Sequence, residues 1–147
     1  MSRNVVTTVR GVLGVLVGGA LWLVLFFSLA RLLLLGWADY GVSARAWMAS
    51  QQYTFTPVMS VFNASFWVLA EIGAGLVAAA IAGRKEAVWA LAVLLMGYLC
   101  YAHLYVEWNH LPNWYNLLVA LPSGPAVLLG GRLAQRLGHR TRRTAPA

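Results

Sequence analysis

VLGVLVGGALWLVLFFSLA, residues 12–30, runs without a charged side chain, and after Arg31 the apolar run resumes at 32–35. At about 1.5 Å of rise per residue, a helix of this length crosses a hydrocarbon core of about 30 Å. The stretch exceeds the apolar region of roughly 7–15 residues typical of a signal peptide. That holds even though Ser28-Leu29-Ala30 loosely imitates a small-x-small cleavage site. It is therefore read as a first membrane span, about 11–35.

Working outward, three more apolar runs follow. A second span is expected at about 56–82, with Pro57 suited to a first helical turn and Gly83-Arg84-Lys85 as its stop. A third at about 87–107 follows so closely that the two form an antiparallel hairpin. The fourth, about 114–131, starts after Leu111-Pro112-Asn113 and is loosened midway by Pro122 and Pro125. The bulk composition agrees with this reading. The chain is 61% hydrophobic and 10% charged, with a mean hydropathy of +0.69, whereas a soluble domain carries about 25% charged residues. The fold class expected is all-α: an integral membrane bundle of four transmembrane helices forming a single domain over 1–143, with a disordered tail at 144–147.

The net charge of +7 is distributed in a way that excludes a nucleic-acid partner. Arg3 and Arg10 precede the first span, Arg84 and Lys85 separate the second from the third, and Arg132, Arg136, Arg140, Arg142 and Arg143 follow the fourth. Basic residues in alternate loops are what the positive-inside rule produces, so both termini are expected in the cytoplasm. The preference for Arg over Lys points to a GC-rich bacterial source, hence a bacterial cytoplasmic (inner) membrane. The basic stretch at 133–143 can rest on anionic lipid. Between the first two spans, 36–55 is mixed in character. A short interfacial helix is expected there, capped by Ser43 and bearing Arg45, Trp47 and Met48, within an aromatic-rich outer cap that includes Trp37, Tyr40 and Tyr53.

Polar side chains inside the spans are the candidate functional residues. Glu71 sits midway along the second span, and Asn63, Trp67 and Glu71 recur every four residues, so they share one helical stripe. The stripe continues through Ala74 and Ala78, small enough for close helix approach. Glu71 is either a proton-titrating or ligand-binding carboxylate, or structural glue hydrogen-bonded to a neighbouring helix. Gly11, Gly14 and Gly18 form a comparable small-residue stripe in the first span.

In the third span Cys100, His103, Glu107 and His110 fall within one arc if the helix persists to 110, with Tyr98, Tyr101 and Tyr105 nearly opposite. His103 and Glu107 are the candidate catalytic or relay pair, although such residues more often simply meet water and headgroups at the interface. An outer-interface polar cluster is expected from Arg31, Asp39, His110 and Asn113, in which Arg31 pairs with Glu107 or Asp39. Asn109, Asn113 and Asn116 are expected to satisfy backbone groups of the turn. No sequence motif requires a cofactor, a metal site is not predicted, and the single Cys100 allows no intrachain disulfide.

Three function classes fit such a chain. The first is an accessory or structural subunit of a membrane complex, with membrane lipids and another membrane protein, or further copies of itself, as partners. The second is a proton-coupled transporter-like oligomer using Glu71. The third is a membrane enzyme or binder of a lipid or quinone near the outer interface, using His103 and Glu107.

Overall fold

The computed structural model describes residues 3–143, with side chains described over 4–137. The tail expected at 144–147 lies outside the described residues. The chain is all-helical, with no strand among the described residues. Its elements are α1 (Arg3–Gly36), α2 (Ala38–Ser50), α3 (Pro57–Ala82), α4 (Lys85–Tyr101), a π-helical turn (Ala102–Val106), α5 (Asn113–Ala120) and α6 (Ser123–Arg143). Four helical stretches are long and apolar enough to cross a membrane: Asn4–Gly36, Pro57–Ala82, Lys85–Val106 and Asn113–Leu137.

The boundaries follow local chemistry. α3 begins where Thr56 accepts a hydrogen bond from the Met59 amide at 3.3 Å, with Pro57 in the first turn. It ends at Gly83, whose φ of 64° lets its amide return to the Ala79 carbonyl. Arg10 reaches across from α1 and donates through Nε and Nη2 to the Ile81 carbonyl at 3.2 and 3.0 Å. A cation thus sits on the carbonyl end of α3, where the helix dipole favours it.

Two local expectations need correction. α2 starts at Ala38, after an extended Trp37 that makes no side-chain cap. Ser43 therefore lies inside the helix rather than capping it, and its carbonyl accepts from the Thr54 hydroxyl at 2.7 Å. The third span does not continue as a regular helix to 110. Its last turn widens, with the Glu107 amide bonding five residues back to Ala102 at 2.8 Å, and a tight turn follows before Pro112. The expected loosening of the fourth span is a two-residue turn at 121–122 within one helical stretch. Pro122 has no N–H to give, α5 stops at Ala120, and the buried Ser123 hydroxyl donates to the equally buried Ala120 carbonyl at 2.8 Å. Beyond this turn, α6 stays helical past Gly131 to Arg143.

α3 is the central helix, and small residues set its spacing. Gly14 and Gly18 of α1 face Ala74, Ala78 and Ala82. A Cβ on Gly14 would stand 2.8 Å from the Ala78 carbonyl, and one on Gly18 would stand 3.0 Å from that of Ala74. On its other side α3 crosses α6 backbone against backbone. A Cβ on Gly75 would overlap the Val127 carbonyl, and one on Gly130 would overlap that of Ile72. Such contacts supply the van der Waals packing that holds helices together where lipid offers no hydrophobic drive. Ala70, Ala74 and Ala78 are wholly buried between these neighbours. Arg10, Arg84, Lys85 and Arg132 gather at one end of the bundle, the basic end. α2 and most of the Trp and Tyr residues mark the other, the aromatic end.

Candidate functional site

At the aromatic end α2, the 51–56 segment, the first turns of α3, the π turn and the start of α5 surround a cavity of about 270 Å³. The chain is turned into this arrangement at Gln51, which closes α2 with a left-handed φ of 56° and an amide bond to the Trp47 carbonyl at 2.8 Å. The Thr54–Ser43 bond ties the returning segment back onto α2. Phe55 is thereby placed among Tyr40, Trp47 and Tyr53, with ring centroids 5.1, 6.2 and 5.6 Å away.

Hydrogen bonds fix the polar wall. Asn63 donates from Nδ2 to the Tyr40 phenol at 2.5 Å, and its Oδ1 accepts from Trp67 Nε1 at 3.0 Å and from the Tyr115 hydroxyl at 2.8 Å. One side chain of α3 thus joins α2 and α5. The Ser60 hydroxyl donates to the Thr56 carbonyl at 2.8 Å, so the Tyr53 hydroxyl is the donor in its short hydrogen bond with Ser60. Burial holds the phenols of Tyr40 and Tyr53 above their ordinary value of 10.0, keeping both neutral. At the base of the cavity Phe26 lies on Trp67 with centroids 3.9 Å apart.

His103 owes its tautomer to Asn116. The Asn116 amide nitrogen donates to the Glu107 and Leu111 carbonyls at 3.2 and 3.4 Å, which leaves Oδ1 facing His103 Nδ1 at 3.0 Å. An oxygen there requires the proton on Nδ1, so Nε2 is left with a lone pair. Trp67 and Tyr115 hold the ring edge-on from two sides, at 5.9 and 6.1 Å. The Trp47 indole N–H is buried and has no hydrogen-bond partner among the described residues.

Of the residues singled out in the sequence, Asn63, Trp67, His103 and Glu107 line this one cavity. Glu71 does not. It is one turn beyond Trp67 along α3, 0% exposed, with both carboxyl oxygens unpartnered among the described residues. Arg31, Asp39, His110 and Asn113 are exposed and lie outside the cavity wall. Neither expected pairing of Arg31, with Glu107 or with Asp39, forms among the described residues; the ion pair that does form joins Arg84 to Glu86 at 3.4 Å, at the basic end. The arc of Cys100, His103, Glu107 and His110 is broken by the π turn, which keeps His103 and Glu107 in the wall and leaves His110 in the turn beyond. Among the described residues, no three His, Cys, Asp or Glu side chains come together as a metal site.

Sequence reasoning missed Tyr115, Phe55 and Ser60 as wall residues, and it saw Tyr40 and Tyr53 only as a cap. The aromatic density of 36–55 was the available signal. Comparison with models of known families, with curated proteins and with solved structures gives no match. The functional reading therefore rests on the site's geometry.

Proposed function

We propose that this chain is a membrane-embedded binding protein that takes the head group of a membrane amphiphile, of the lipid or quinone class, into the aromatic-end cavity. The observation that carries this reading is the hydrogen-bond accounting. Asn63 and Asn116 are engaged in hydrogen bonds that position the wall, while His103 keeps an acceptor at Nε2 and Glu107 its carboxylate beside a concave, largely aromatic wall. A few convergent polar groups in an apolar hollow are the usual composition of a small-molecule site. His103 and Glu107 act here as ligand-holding groups.

The charge pattern completes the proposal. With the basic end in the cytoplasm, both termini are cytoplasmic, and α2 lies along the outer surface as an interfacial lid. The membrane is then the inner membrane of a bacterium. Within this reading membrane lipids are the immediate partners. The transporter-like alternative draws no support from Glu71, which is sealed inside its own chain and stands apart from the cavity. The accessory-subunit alternative would be carried by the exposed apolar faces of α1 and α4, which lipid covers equally well.

The test is native mass spectrometry after mild-detergent extraction, comparing wild type with Trp47→Ala, which opens the wall from outside the spans. Wild type should retain or rebind an amphiphile stoichiometrically, and the variant should lose it. Equal retention by both, or no binding by either, overturns the proposal. A stoichiometric second protein bound to a chain with an empty cavity would overturn it in favour of the accessory-subunit role.

A further inference from the structure

The charge and shape of the cavity point further, and the step rests on the binding role proposed above. In a chain of net charge +7, the wall contains one carboxylate, Glu107, and neither Lys nor Arg. A phosphate or carboxylate head would meet Glu107 with no cation to offset it, so anionic heads are disfavoured on charge alone.

The rings then separate a flat neutral head from a rounded cationic one. A planar ring is held most tightly when sandwiched between two parallel aromatic faces with a gap between them. The wall offers the opposite. Tyr40 and Tyr53 are inclined 46° and 56° to Phe55, Tyr53 is inclined 44° to Tyr115, and Trp67 stands at 88° to His103. The flattest pair in the wall, Phe26 and Trp67, is already closed on itself at 3.9 Å. Faces inclined to one another enclose a compact charge, and the negative ring faces attract it.

The remaining question is whether the cation carries N–H bonds. The lone pair on His103 Nε2 and the oxygens of Glu107 are both acceptors, and only a donor-bearing cation satisfies them. A quaternary ammonium could not.

We infer that the cavity is a site for a primary alkylammonium head, held by cation–π attraction from the tilted rings and by N–H donation to His103 Nε2 and Glu107.

The test is a titration of tryptophan fluorescence with purified protein in dodecyl maltoside near neutral pH. The probes are octylammonium, octyltrimethylammonium, octanol and a short-chain quinone. Octylammonium should bind about tenfold or more tightly than the others, since a charge-assisted hydrogen bond is roughly twice as strong as a neutral one. Glu107→Gln should abolish that preference, and Glu107→Asp should restore part of it. Equal binding of octanol, or tighter binding of the quinone, overturns the ammonium assignment and leaves the binding role standing. Failure of all the probes overturns both.

Repeating the octylammonium titration in nanodiscs distinguishes the natural source. Weaker apparent binding in phosphatidylethanolamine discs than in phosphatidylcholine discs, which carry the same net charge, assigns the site to a lipid head. Equal binding in the two assigns it to a free amine partitioned into the membrane.

Discussion

Glu71 gives the sharpest test of the packing described above. Its carboxyl group is fully buried on α3, and neither oxygen has a hydrogen-bond partner among the described residues. A buried polar group left unpaired is destabilising by about 1–3 kcal/mol relative to an apolar group of the same shape. Glu71→Met keeps the length of the side chain and removes the orphaned oxygens. It should therefore stabilise the bundle by about 1–3 kcal/mol, an increase of roughly 5- to 150-fold in the folded-to-unfolded ratio at tenfold per 1.4 kcal/mol. Glu71→Gln retains two polar atoms in the same space and should change stability little.

The assay is reversible unfolding with SDS in mixed micelles, followed by circular dichroism. Trp22 provides an internal control. It lies on α1 one turn beyond Gly18, which faces Ala74, and so near the depth of Glu71. Its indole N–H is also buried without a partner. If both groups are orphans, Trp22→Phe, like Glu71→Met, should not destabilise the bundle. Destabilisation by Glu71→Met would refute the reasoning and would mean that Glu71 makes a native polar interaction.

Two further outcomes follow from the architecture. Because α3 and α6 meet backbone to backbone, Gly130→Ala should destabilise the bundle by about 1–3 kcal/mol or more through overpacking, read from the same SDS titration. A Gly97→Ala control, at a position where a Cβ meets nothing within 4 Å, should be tolerated. The cap should also be sensitive to alkali. Tyr40 and Tyr53 have folded pKa values raised above 10.0, so the stability they contribute is fully present below pH 10 and lost as pH rises through the higher folded values. Near-ultraviolet circular dichroism should be flat from pH 7 to about 9.5 and change only above about 10; loss of the cap signal between pH 7 and 9 would contradict this.

The four spans were legible because a helix in lipid must satisfy its own backbone and cover itself with apolar side chains, and both demands are written into composition. The stop at Gly83 and the loosening at Pro122 were likewise local chemistry. The start of α2 was not legible, because Trp37 is not a capping residue and Ser43 looked like one. Nor was the end of the third span. A π turn has no strong residue signature, yet it decides that His103 and Glu107 remain at the cavity while His110 does not. Asn63 and Trp67 were visible as a stripe, but their partners Tyr40 and Tyr115 lie 23 and 52 residues from Asn63. Contacts of that range come from the crossing of helices, and no window of sequence contains them.

The turn at 121–122 has a mechanical side. α5 is only eight residues long, and a turn bounds it at each end. It nevertheless carries both Tyr115, which closes on Asn63, and Asn116, which sets the tautomer of His103. Bounded in this way, α5 is expected to adjust against the cavity with little movement of the α3–α6 crossing. Small adjustments by an occupant would therefore be absorbed at the aromatic end. Amide exchange slowed in 113–120, with 123–137 unchanged, would be the trace of that insulation.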